Sequence, residues 1–148
     1  MPTYTSRINL TKPDTGNKSW ETDVENWADK LDQAAAHYLP VHLGGAAIDE
    51  EVIFDGFYFD EDVTITAVTL YARAAPTGAA FSVDFIKNGV EQSKISSIAD
   101  GAKKGGAAVT GLSYTTLEEF GLKVKSAGTT DPGAEIEILI HYHIQALP

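Results

Sequence analysis

Cysteine is absent from the 148-residue sequence, and positive charge is scarce. Without cysteine the chain cannot form disulfides or thiolate metal sites, and we expect no redox role. Only 11 Lys and Arg residues accompany 21 Asp and Glu residues, which gives a formal net charge of −10. Because nucleic-acid phosphates and anionic lipid surfaces repel such a chain, we expect no nucleic-acid partner.

Long apolar runs and recognisable catalytic motifs are missing as well. No stretch is apolar enough to span a bilayer, and the N-terminus lacks the basic start and apolar run of a signal peptide. We therefore expect neither membrane insertion nor export by the usual route. There is no nucleophile elbow, phosphate-binding loop or His-Glu-Xaa-Xaa-His motif. The acidic pair Asp60 and Asp62 is typical of a solvated turn rather than of glycosidase carboxylates. The sequence predicts a protein that is not an enzyme and needs no cofactor.

One amphipathic helix is predicted at residues 19–38. Its large apolar residues alternate at spacings of four and three, which is the repeat of a coiled-coil seam. These residues are Trp20, Val24, Trp27, Leu31, Ala34 and Tyr38. Two tryptophans on a narrow seam present too much apolar area to leave in water, so the helix must pack on its own domain or on copies of itself. The narrow seam favours copies, and we predict that these six residues form the oligomerisation surface.

Residues 1–18 form a polar stretch that contains Pro2, Pro13 and Gly16, with a short apolar alternation at Ile8 and Leu10. Such a composition predicts an extended arm with no core of its own. An arm of this kind becomes ordered when it lies on a partner.

A linker is predicted at residues 39–50, where Pro40 and the pair Gly44-Gly45 interrupt the helix. From residue 51 to residue 148 the sequence favours short strands separated by turns. Asn88-Gly89 is the strongest hairpin signal and predicts a return strand at 90–98. Between 63 and 74 the apolar phase slips from Val63 and Ile65 to Val68 and Leu70, which indicates a bulge or a strand buried on both faces. Seven or eight strands without helical crossovers predict an antiparallel β-sandwich or jelly roll.

The last predicted strand carries two histidines, His141 and His143, on one face, opposite the isoleucines that alternate with them. Three symmetry-related copies would present six imidazoles, enough for an octahedral transition metal. Two histidines on the wet face of a strand need no metal to explain them, and we therefore predict no metal site.

Two groups of motifs resemble parts of tailed-phage fibre proteins. The first group resembles the N-terminal attachment pattern of these fibres. It consists of Leu10-Thr11-Lys12-Pro13, then Gly16, then Trp27 and Lys30-Leu31-Asp32. The second group lies downstream and resembles a small β-sandwich found at fibre tips. It consists of residues 60–76, Thr77-Gly78-Ala79, Val83-Asp84, Lys87-Asn88-Gly89, Gly128-Thr129-Thr130 and Pro132-Gly133. Together the two resemblances cover most of the chain.

The resemblance implies a homotrimer on the exterior of a phage particle, made in the host cytoplasm. Three helices would pack through the seam, three sandwiches would project outward, and three arms would anchor the trimer to other virion proteins. The anchoring residues would be Ile8, Leu10, Thr11, Lys12 and Pro13. A short tail fibre or a fibre or baseplate adaptor for host attachment is the expected function.

Two alternatives stay open. The same parts could form a capsid decoration protein, with the arm lying on neighbouring major capsid proteins. The sandwich could instead be a carbohydrate-binding module that binds host-surface glycans through the loops at 96–106 and 126–133, although these loops contain no aromatic residue for stacking on sugars.

Overall fold

A computed structural model describes residues 37–145 together with Ala35. Within that part of the chain there is no helix, and the strands form two antiparallel sheets. The prediction of a mainly β, sandwich-like domain is confirmed. The arm and most of the helix lie outside the described residues and stay predictions. This applies to Ile8, Leu10, Thr11, Lys12 and Pro13 of the arm and to Trp20, Val24, Trp27, Leu31 and Ala34 of the helix.

Ten strands make up the described domain. They are β1 (His37–Ala46), β2 (Val52–Phe57), β3 (Val63–Ala74), β4 (Phe81–Lys87), β5 (Val90–Glu91), β6 (Ser96–Ile98), β7 (Lys104–Ala108), β8 (Ser113–Tyr114), β9 (Phe120–Ser126) and β10 (Ala134–Ile144). The first sheet has the order β1-β10-β3-β7, with β8 also paired to β3. The second has the order β2-β9-β4-β5, with β6 also paired to β4.

The pairing is nested. Strand β1 pairs with β10, β2 with β9, β3 with β7 and β8, and β4 with β5 and β6, always antiparallel. The two halves of the domain therefore run back along each other, and the chain changes sheet between β1, β2, β3 and β4. This wrapping brings the beginning and the end of the described domain side by side in the first sheet.

The core lies between the sheets because alternate residues of each strand point inward. Ile136, Ile138 and Ile140 of β10 are fully buried, as the period-two pattern predicts. They belong to the same core as a set of aromatic side chains, in which Phe120 of the second sheet contacts Phe85 of the same sheet and Tyr114 of β8. The buried Tyr114 hydroxyl donates to the carbonyl of Ile86 at 3.1 Å, so this core phenol is satisfied.

Two local predictions are confirmed. The phase slip in β3 is a bulge, because Ile65 pairs with Tyr142 and Ala67 with His141, which leaves Thr66 as the extra residue. The Asn88-Gly89 hairpin joins β4 to β5, and both turn residues have positive φ, 50° and 77°, as a tight two-residue hairpin turn requires.

The predicted boundary between helix and sandwich is wrong. Strand β1 begins at His37, so Tyr38 is a strand residue rather than the last seam residue of a helix, and most of the predicted linker at 39–50 is strand. Pro40 does not break β1, because β1 is the edge of its sheet, where a missing N–H can face away from the ladder. The Gly44-Gly45 pair does not form a linker. It lies at a register shift between Leu43 and Ala46 in the pairing of β1 with β10.

Candidate functional site

The outer face of the first sheet carries a central band without Asp, Glu, Lys or Arg side chains. One cross-strand row runs from Tyr38 through His141 and Ala67 to Ala108, and the next from Pro40 through Leu139 and Thr69 to Gly106. We call these eight residues the uncharged band. Tyr38 is 54% exposed, which is high for an aromatic residue on a sheet face. In a chain with a net charge of −10, such a face is one that copies could approach without repulsion.

His141 and His143 lie on this face, as predicted, and His143 is exposed. Nε2 of His141 is 2.9 Å from the hydroxyl of Thr69, and the ring of Tyr38 meets the His141 ring edge-on with centroids 4.9 Å apart. The described residues contain no group of three or more His, Cys, Asp or Glu side chains that could hold a metal ion.

Charged residues begin at one end of the band. Nδ1 of His42 lies 2.8 Å from a carboxylate oxygen of Glu137, and Nε2 lies 3.3 Å from one of Glu135. Glu135 has a φ of 50° and also accepts the backbone N–H of Gly45 at 3.0 Å. This hydrogen bond, followed by the nearby imidazole, lowers the pKa of Glu135. The cluster therefore fixes the bulge where β10 begins.

On the outer face of the second sheet, four charged side chains pair with one another. Lys123 and Lys125 of β9 both contact Glu91 of β5, at 2.7 and 2.8 Å, and both also contact Glu50. Hydrogen bonds from the two ammonium groups lower the pKa of Glu91 to about 2 and also lower that of Glu50. These carboxylates neutralise the two lysines within the chain, so the face offers little to a partner.

Asp84 is the one acidic side chain buried in the described domain, with 1% exposure. Its carboxylate accepts the backbone N–H groups of Phe85 at 2.8 Å, Ser93 at 2.9 Å and Lys94 at 2.7 Å. Hydrogen bonds of this kind hold the 92–95 loop over β4. The Val83-Asp84 motif therefore has a structural role here rather than a catalytic one.

A pocket of about 260 Å³ lies at the end of the sandwich where β10 finishes. Phe57, Phe59, Val63, Tyr142 and Ile144 form its apolar walls. The carboxylates of Asp60 and Glu61, from the turn between β2 and β3, stand at its rim. Sequence reasoning missed this pocket because its two walls, Phe59 and Tyr142, come from distant parts of the chain.

The loops proposed for glycan binding lie at the opposite end of β10 from this pocket. They are held together by the bridge between Thr77 and Asp131 and by the N–H of Gly78, which donates to Asp100 at 3.0 Å. Gly128 has no room for a side chain, because a Cβ there would lie 1.8 Å from the carbonyl oxygen of Asp131. Close packing and the lack of aromatic residues make these loops a poor sugar site.

No protein-family model matches the sequence, and no curated protein matches it. A membrane-spanning helix is not found among residues 37–145.

Proposed function

We propose that this protein is a structural, non-enzymatic component of a tailed-phage virion, a short trimeric fibre or a fibre or baseplate adaptor that exposes its sandwich for host attachment. Its nested strand pairing, divided between two antiparallel sheets, supports the jelly-roll form of the proposed sandwich. Jelly rolls serve as viral capsid and lectin domains, although a fold alone does not determine a function.

The observation that carries the proposal is the place where the predicted helix would join the sandwich. The chain enters β1 at His37, and the next residue, Tyr38, points onto the uncharged band beside His141. An apolar seam on the helix would thus continue into the uncharged band, which contains no Asp, Glu, Lys or Arg. Identical chains with a net charge of −10 each repel one another over most of their surface, and seam and band together would form a continuous path with less of this repulsion.

The proposal also fits the use of three polar clusters in the described domain. Asp84 is occupied by backbone N–H groups, Lys123 and Lys125 by glutamates, and His42 by Glu135 and Glu137. These groups hold the sandwich in shape, which suits a protein whose task is assembly and display.

Antibody labelling of the source particle in the electron microscope tests the function. Gold at the tail or baseplate is the expected result. Gold distributed over the head would replace the fibre with the decoration alternative, and particles without any label would overturn the virion proposal.

A further inference from the structure

The pocket at the end of β10 combines apolar walls with carboxylates that have no partner. Among the described residues, neither Asp60 nor Glu61 accepts a hydrogen bond or forms an ion pair. The walls are aromatic and aliphatic, and no basic side chain lines the pocket. An occupant with an apolar side chain and a neighbouring positive charge would satisfy both features.

The pocket is also where the first part of the chain joins the sandwich. The ring of His37 stacks on the ring of Tyr142, a pocket wall, with centroids 5.3 Å apart and an angle of 23° between the planes. The residues before 37 therefore start beside this pocket, and every copy carries them at high local concentration.

The arm has the opposite charge to the remainder of the chain. Residues 1–18 contain three basic residues, Arg7, Lys12 and Lys18, and one acidic residue, Asp14. Residues 19–148 contain the other 8 basic and 20 acidic residues. Electrostatic attraction thus favours contact between the arm and the acidic sandwich.

Spacing within the arm matches the pocket. In an extended segment, Leu10 and Lys12 point to the same side, about 7 Å apart, so an apolar side chain in the pocket places an ammonium group near its rim. The part of the predicted helix that precedes β1, residues 19–36, would lead away for about 27 Å at 1.5 Å per residue. About eight extended residues would cover the same distance back, which brings the chain from residue 18 to residue 10.

We propose that the pocket binds the arm of the chain itself, with Leu10 between Phe57, Phe59 and Tyr142 and with Lys12 paired to Asp60 and Glu61. Before assembly the arm is thereby stored on the sandwich. Anchoring to another virion protein, as the proposed function requires, then needs the arm to leave the pocket. Attachment of the arm is thereby coupled to release of the pocket at the end of the sandwich. The contact itself does not depend on the number of copies in the particle.

Hydrogen–deuterium exchange of the full chain tests this contact. In the unmodified protein the amides around residues 8–12 should exchange at least tenfold more slowly than those of a free peptide of the same sequence. The variant Asp60→Asn/Glu61→Gln should lose this protection, since the rim no longer attracts Lys12. Within the described domain these two side chains form no hydrogen bond or ion pair, so the sandwich should unfold at nearly the same temperature. The control Glu51→Gln/Asp55→Asn removes the same charge from the segment at β2 and should leave the arm protected.

Charge reversal makes the test specific. Lys12→Glu should abolish the protection, and Lys12→Glu combined with Asp60→Lys/Glu61→Lys should restore it. Two results would overturn the proposal. The arm could exchange as fast as the free peptide, or its protection could stay unchanged in both the Asp60/Glu61 variant and the Lys12 variant. The mass of the same samples separates the two proposals, because a trimer with an unprotected arm contradicts only the pocket contact, and a monomer with a protected arm contradicts only the assembly.

Discussion

The outer face of the second sheet is covered by its own chain, whereas the outer face of the first sheet is bare at its centre. On β4, the outward-pointing Ser82, Asp84 and Ile86 are all buried, and the lysines of β9 are paired with glutamates. On the first sheet, Tyr38 is largely exposed and its neighbours in the band include no Asp, Glu, Lys or Arg. A sandwich that covers one face and leaves the centre of the other without these charged residues has one face suited to a partner.

The largest effect should come from breaking the cover of the second sheet. In Asp84→Asn, one carboxylate oxygen becomes an NH₂ group that meets a backbone N–H, and the charge of the acceptor is lost. We expect the free energy of unfolding to fall by about 3 kcal/mol, measured by urea denaturation. The exposed Asp55→Asn should change it by less than about 0.5 kcal/mol. Equal effects of the two substitutions would show that the 92–95 loop is not held by Asp84.

The next effect should come from charging the bare face. Leu139→Asp places a carboxylate at the centre of the uncharged band, where copies are expected to meet. We expect the dissociation constant of the assembly to rise about 100-fold, which is about 2.7 kcal/mol, measured by light scattering over a dilution series. Leu117, 87% exposed in a loop, offers the control. If Leu117→Asp and Leu139→Asp weaken association equally, the band has no special role.

The smallest effect concerns the ion pairs of the second sheet at low pH. The pKa of Glu91 is lowered to about 2 in the folded protein, from an ordinary value of 4.5. Its contribution is therefore present above pH 4.5 and is lost as the pH falls towards 2. The unfolding temperature of Glu91→Gln should fall less between pH 5 and pH 2 than that of the unmodified protein. Parallel curves would show that the pairs contribute nothing, as many exposed pairs do.

Features that depend on neighbouring residues were predictable from the sequence. The Asn88-Gly89 turn, the alternation of β10 and the bulge in β3 each follow from a short stretch of chain. Strand β1 was missed because Pro40 and Gly44-Gly45 usually end an element, and nothing local shows that this strand is an edge.

Features made by distant residues were not predictable. The sequence favours one return strand at 90–98, but the carboxylate of Asp84 binds the N–H groups of Ser93 and Lys94 and interrupts it as β5 and β6. The pocket escapes prediction for the same reason, since Phe59 and Tyr142 meet only when the two ends of the domain pair in the sheet.

The central claim is that identical chains associate through the tryptophan seam and the uncharged band. Sedimentation equilibrium of the full chain at micromolar concentration tests it most directly. The account predicts a species of three times 15.9 kDa that dissociates when Trp27 and Leu31 are both replaced by Asp. A single species of 15.9 kDa for the unmodified protein at every concentration would contradict it.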